Sequence, residues 1–203
     1  SYPLATLVPD CSRADGLYVS LEILSSACNK LTRKSLLDAY NIRFKEKMFL
    51  NEDGLFHLMC YLKAKDFKIL ETPLYHYRIR KNSSNYQYMP NVHSQNVIVS
   101  RAFSDLAKEL PDHICRDFIS LCSYRIYLKT ISLFVERPQN DMSLFSKCRY
   151  LEKELDTGLY AISSIPHYLG LFKEMEMKAL RRHWCAMLFV LNRIRKLKNE
   201  VSF

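Results

Sequence analysis

Residues 51–80 read NEDGLFHLMCYLKAKDFKILETPLYHYRIR. Asn51 is a residue type that caps helices. Glu52 and Asp53 put negative charge in the first turn, where it meets the positive end of the helix dipole. Leu55, Met59 and Leu62 recur at i, i+4 and i+7, which predicts a helix with one face on a core. Ile69 and Leu70 read as a short buried strand. Past a turn at Pro73, residues 74–79 read as a second strand. Leu74, His76 and Arg78 share one face of it, and Tyr75, Tyr77 and Ile79 the other. Nowhere else in the chain do carboxylates, a His and a run of Arg fall so close together in an ordered pattern.

Upstream, Pro3, Pro9 and Asp15-Gly16 punctuate an irregular start, and Leu17, Leu21 and Leu24 follow at helical spacing. Thr32 suits the N-cap of a short helix carrying Leu36 and Leu37. Asn41 suits its far end, because Asn tolerates the left-handed conformation. Ile42 and Phe44 alternate with Arg43 and Lys45, as in a brief extended segment. Downstream, KNSSNYQYMPN is polar and turn-rich and predicts a boundary. Beyond it the pattern is helical. Val97, Arg101 and Ser104 mark a helix ending near Pro111. Ile114, Phe118, Leu121 and Tyr124 mark a long one reaching about Glu136, before Pro138. Residues 145–155 form a third, and 168–172 a short segment after Pro166. The last helix is expected over 174–198.

The chain has 203 residues, which suits one domain or one domain with an appendage. Only four Gly are present, which disfavours an all-β chain of tight turns. The net charge of +9 attracts polyanions. No helix-turn-helix, RNA-recognition or zinc motif accompanies it, so nucleic acid is not the expected partner. The seven Cys are odd in number and include no CxxC, which fits a reduced, cytoplasmic setting. The N-terminus lacks a basic segment followed by a long apolar core. The apolar run 184–191 falls short of the about 20 residues that span a bilayer.

Four pieces, CNKLTRKSLL, NIRF, NEDGLF and PLYHYRIRKNSS, stand within and just beyond residues 28–80. In order and spacing they resemble the second half of the catalytic domain of bacterial family 2 glycosyltransferases, which have the GT-A fold. The resemblance implies that Asp53 is the catalytic base. It implies also that the PLYHYR segment closes the donor site, and that a divalent metal (Mn or Mg) takes part. The family's Rossmann-like first half, with its DxD metal motif, has no counterpart here; DxD occurs nowhere in the chain. The expected fold class is therefore mainly α with a small β component. Residues 1–90 would be the C-terminal half of a GT-A-like α/β domain, and 91–203 a helical appendage. A fragment of this kind is expected to be inactive alone, with the main metal ligands elsewhere.

Inverting sugar transfer needs a base for the acceptor hydroxyl and cations for the departing nucleotide diphosphate. Asp53 fits the first task. Glu52, about 100° around the helix, is placed to orient acceptor hydroxyls. Read locally, Asn51, Glu52 and Asp53 only cap a helix. His76 reads either as a late metal ligand beside the donor phosphates or as a His packed on a strand face. Arg78 and Arg80 read as a diphosphate clamp or as solvated edge charges. Lys30 reads as a donor or acceptor contact or as a surface charge. Tyr75, Tyr77, Tyr86 and Tyr88 read as a sugar-stacking set or as sheet surface.

The tail carries no acidic residue from 178 to 199. Its apolar centre lies between Lys178, Arg181 and Arg182 on one side and Arg193, Arg195, Lys196 and Lys198 on the other. That profile matches a helix in a membrane interface with Trp184 at the boundary, and equally a bundle helix with a basic outer face. The expected function is the acceptor-side part of a glycosyltransferase acting on a surface glycan or lipid-linked acceptor. Such a protein would be cytoplasmic, at or near the inner face of the cell membrane. The competing reading is a non-catalytic helical module that docks on a membrane surface or a partner protein.

Overall fold

The computed structural model describes residues 28, 30–66, 68, 70, 72, 74–76, 87–165 and 169–201. Seven α-helices occur among them: α1 (Lys34–Ala39), α2 (Glu52–Lys63), α3 (Val92–Ala107), α4 (Asp112–Thr130), α5 (Leu144–Asp156), α6 (Leu171–Arg181) and α7 (Cys185–Val201). The chain divides into two compact units. The first comprises Ser1–Gln87 with Ser94–Phe118, and the second Tyr88–His93 with Ile119–Phe203. The mainly α expectation holds. No strand occurs among the described residues, which include only part of the stretch where the small β component is expected. Leu70 and Leu74, expected in buried strands, are 68% and 72% exposed. A strand needs a neighbour to satisfy its amides, and none of the described residues provides one. Ile69 and residues 77–80 lie outside the described residues, as do the expected helix around Leu17 and the segment 166–168.

In the first unit α1 begins one residue later than expected, with Arg33 rather than Thr32 at the N-cap. Its other end follows the expectation for Asn41, which adopts φ 48°. The Asn41 amide donates to Asp38 O (3.3 Å) and the Ile42 amide to Leu37 O (2.8 Å), the paired bonds of a Schellman motif. Ile42 is thereby turned inward. It packs with Phe56 and Cys60 of α2, and Leu37 and Met59 close the cluster. The helix expected after Asn51 is present as α2, with Leu55, Phe56, Leu58 and Cys60 buried and Met59 and Leu62 half-buried. Asn51 does sit at the N-cap but without a side-chain cap bond; its backbone is left-handed at φ 56°. The Leu55 amide bonds to the Asn51 carbonyl at 3.0 Å. Before it, Gln95 holds the loop, accepting from the Phe49 amide at 2.8 Å and donating to Lys47 O at 3.3 Å.

In the second unit the long helix ends where expected. After Thr130 the last turn widens to a π-turn over Ile131–Val135, capped at Glu136. Thr130 Oγ1 donates to Ile126 O at 3.1 Å and pairs with Tyr160 Oη at 3.0 Å. The stretch Ile114–Val135 is apolar and long enough to cross a membrane, unlike the shorter run noted from sequence; 72% of its most apolar window is buried, as in a core helix. The single helix expected over 174–198 is instead α6 and α7. His183 adopts φ 53° between them. Its amide donates to Leu180 O (3.1 Å) and that of Trp184 to Ala179 O (2.9 Å), a second Schellman motif. A left-handed residue costs about 1–2 kcal/mol when it carries a side chain. His183→Gly is therefore expected to be neutral or stabilising, and His183→Val to fall about 1–2 kcal/mol below it in urea unfolding.

Two carboxylates are buried in this unit. Glu154 accepts from Tyr160 Oη at 2.9 Å and pairs with His93 Nδ1 at 2.8 Å. Glu176 is fully buried and accepts from Tyr124 Oη and Arg195. Asn192 extends this network, donating to Tyr127 Oη at 2.7 Å and accepting from Arg195 at 3.1 Å.

Candidate functional site

Of the residues singled out from sequence, the structure draws Asp53 and Lys30 together. Both belong to the first unit. Asp53 lies in the first turn of α2, half-buried, beside Glu52. Lys30 precedes α1 and is also half-buried. Burial lowers the proton affinity of its amine, and the Asp53 carboxylate, followed by Cys28, works in the opposite direction. The two charges thus act on each other across 23 positions of sequence.

His57 is the member of this group that sequence reasoning missed. It stands one turn after Asp53 on the same face of α2. It is only 4% exposed, and its Nε2 has no hydrogen-bond partner among the described residues. Its ring meets Phe56 edge-on at 5.2 Å and stacks on Tyr61 at 6.0 Å. Phe56 in turn stacks on Phe44 at 4.2 Å. Burial first, then the Lys30 charge, pushes the His57 imidazole down to about 4, against the pull of Asp53. The row Asp53, His57, Tyr61 therefore holds an imidazole that is neutral at neutral pH, with Lys30 nearby. The spacing i, i+4, i+8 carried the signal.

His76 is described and exposed. Arg78 and Arg80 lie outside the described residues, as do Tyr77 and Tyr86. Tyr75 is 48% exposed. Tyr88 belongs to the second unit, where it stacks on Phe134 at 5.6 Å. Among the described residues no group of three or more His, Cys, Asp or Glu is arranged to hold a metal ion. Cys60, Cys115, Cys122, Cys148 and Cys185 are free thiols.

The lowered His57 value has a thermodynamic consequence. The folded state holds the ring neutral, whereas the unfolded chain takes up the proton near 6.5. Stability contributed this way is fully present above pH 6.5 and is lost as pH falls towards about 4. His57→Phe is expected to flatten this window. Urea unfolding at pH 7.5 and 5 should show a difference of about 1–2 kcal/mol between wild type and variant, after discounting for solvent screening.

With the geometry in hand, comparison with known proteins adds no neighbour: no family model, curated protein or solved structure matches this chain.

Proposed function

We propose that this chain is the acceptor-side part of an inverting glycosyltransferase of the family 2 type, which moves a sugar from a nucleotide-sugar to a hydroxyl of a glycan or lipid-linked acceptor. The observation that supports the reading is the convergence of Asp53, Lys30 and His57 at the N-terminal end of α2. Asp53 takes the proton from the acceptor hydroxyl as that oxygen attacks the anomeric carbon. The bond to the nucleotide diphosphate breaks on the opposite face, and its electron pair leaves with the diphosphate. Lys30 steadies the carboxylate. A neutral His57 adds no further positive charge beside Asp53.

In this reading the diphosphate and any metal are held by residues other than the trio. The test is sugar transfer by a transfer-competent protein that contains this chain. Asp53→Asn should remove transfer and leave nucleotide-sugar binding in place. Full transfer by the variant would overturn the assignment.

A further inference from the structure

Among the described residues, one face of α7 is left exposed. Val190, Ile194 and Leu197, at i, i+4 and i+7, are 59%, 38% and 50% exposed. Ala186, one turn earlier, is exposed on the same face. The opposite face is packed, with Cys185, Leu188, Leu191 and Asn192 buried. The exposed stripe is thus separate from the helix's structural contacts.

Basic side chains border the stripe. Arg193 is exposed beside it, and Lys196 stands at its margin, partly exposed and paired with Glu136 at 2.9 Å. At the N-terminal end Trp184 is 46% exposed, and the Arg182 guanidinium lies 4.9 Å from its ring centre. No acidic residue interrupts positions 178–199. The Schellman motif at His183 ends α6 and gives α7 its own direction, so the stripe belongs to α7 alone.

We propose that this face of α7 seats on an anionic lipid surface. Val190, Ile194 and Leu197 enter the boundary between headgroups and acyl chains, and Trp184 sits at headgroup level. Arg182 and Arg193 meet the lipid phosphates. An apolar stripe bordered by Arg and Lys is the arrangement that binds in the plane of a bilayer. An apolar protein partner would not explain the exposed Arg182 and Arg193 beside the stripe; an anionic bilayer accounts for both. The proposal is independent of the sugar-transfer reading, because it uses only the second unit.

Trp184 is the only tryptophan, so its fluorescence reports on this surface alone. The whole chain is mixed with vesicles of phosphatidylcholine and with vesicles containing 30 mol% phosphatidylglycerol (about one lipid in three). A blue shift, protection from acrylamide and co-sedimentation are expected with the anionic vesicles and not with the neutral ones. Val190→Ser/Ile194→Ser should lower partitioning by about tenfold or more, and Arg193→Gln by about fivefold. Because these positions are exposed, both variants should unfold at the wild-type temperature.

Wild type that ignores anionic vesicles overturns the proposal. So does binding that the serine pair leaves unchanged. A serine-sensitive self-association in sedimentation, with no vesicle binding, would assign the stripe to a second copy of the chain and likewise overturn it.

Discussion

Asp53→Asn is expected to lower sugar transfer by roughly 100- to 10,000-fold, the range that a positioned general base contributes. Asparagine matches aspartate in shape and keeps a polar group in the first turn of α2. It cannot take the acceptor proton. The effect should therefore fall on turnover, while nucleotide-sugar affinity stays within about twofold, because donor contacts lie elsewhere in the proposed scheme. Glu52→Gln should cost less, since Glu52 is proposed to orient the acceptor rather than to accept its proton. Single-turnover rates and donor calorimetry on the same preparations separate the two effects.

Glu176→Ala is expected to destabilise the second unit by about 3–5 kcal/mol, the usual cost of leaving one member of a buried ion pair without its partner. Glu176 is fully buried between Tyr124 and Arg195. Removing it strands the Tyr124 phenol in a core that also holds Tyr127, Leu133 and Met177, and leaves the half-buried Arg195 guanidinium without its carboxylate. A domain of this size is stable by only about 5–15 kcal/mol, so the loss should be plain in urea unfolding. Glu176→Met combined with Arg195→Met should recover much of it, because replacing both charges with apolar groups removes the desolvation cost. A loss below about 1 kcal/mol for Glu176→Ala would show that the pair is not buried as described.

Much of the helical framework was legible in the sequence because its signals are local. Asn51, Glu52 and Asp53 announce α2, and the apolar spacing from Ile114 through Tyr124 announces α4. Asn41 was readable as a helix end because its residue type tolerates the left-handed backbone. His183 does the same work but was not readable, because RRHW contains neither Gly nor Pro and the apolar pattern runs straight through it. Alternation of apolar and polar residues suggested strands at 69–70 and 74–79. Alternation describes a face, and only a neighbouring strand turns it into a sheet. Asp53 was legible as a candidate from its motif and its helix position. His57 was not, since its significance comes from burial and from the charge of Lys30, which arrives from a distant part of the chain.

The account turns on Asp53 being the group that accepts the acceptor's proton. The pH dependence of kcat/KM for transfer tests this most directly. A base that must be ionised produces an acid limb in which the rate falls tenfold per pH unit. The prediction is that wild type shows this limb and that the residual transfer of Asp53→Asn does not. An identical limb in both proteins would contradict the assignment and place the base at another residue.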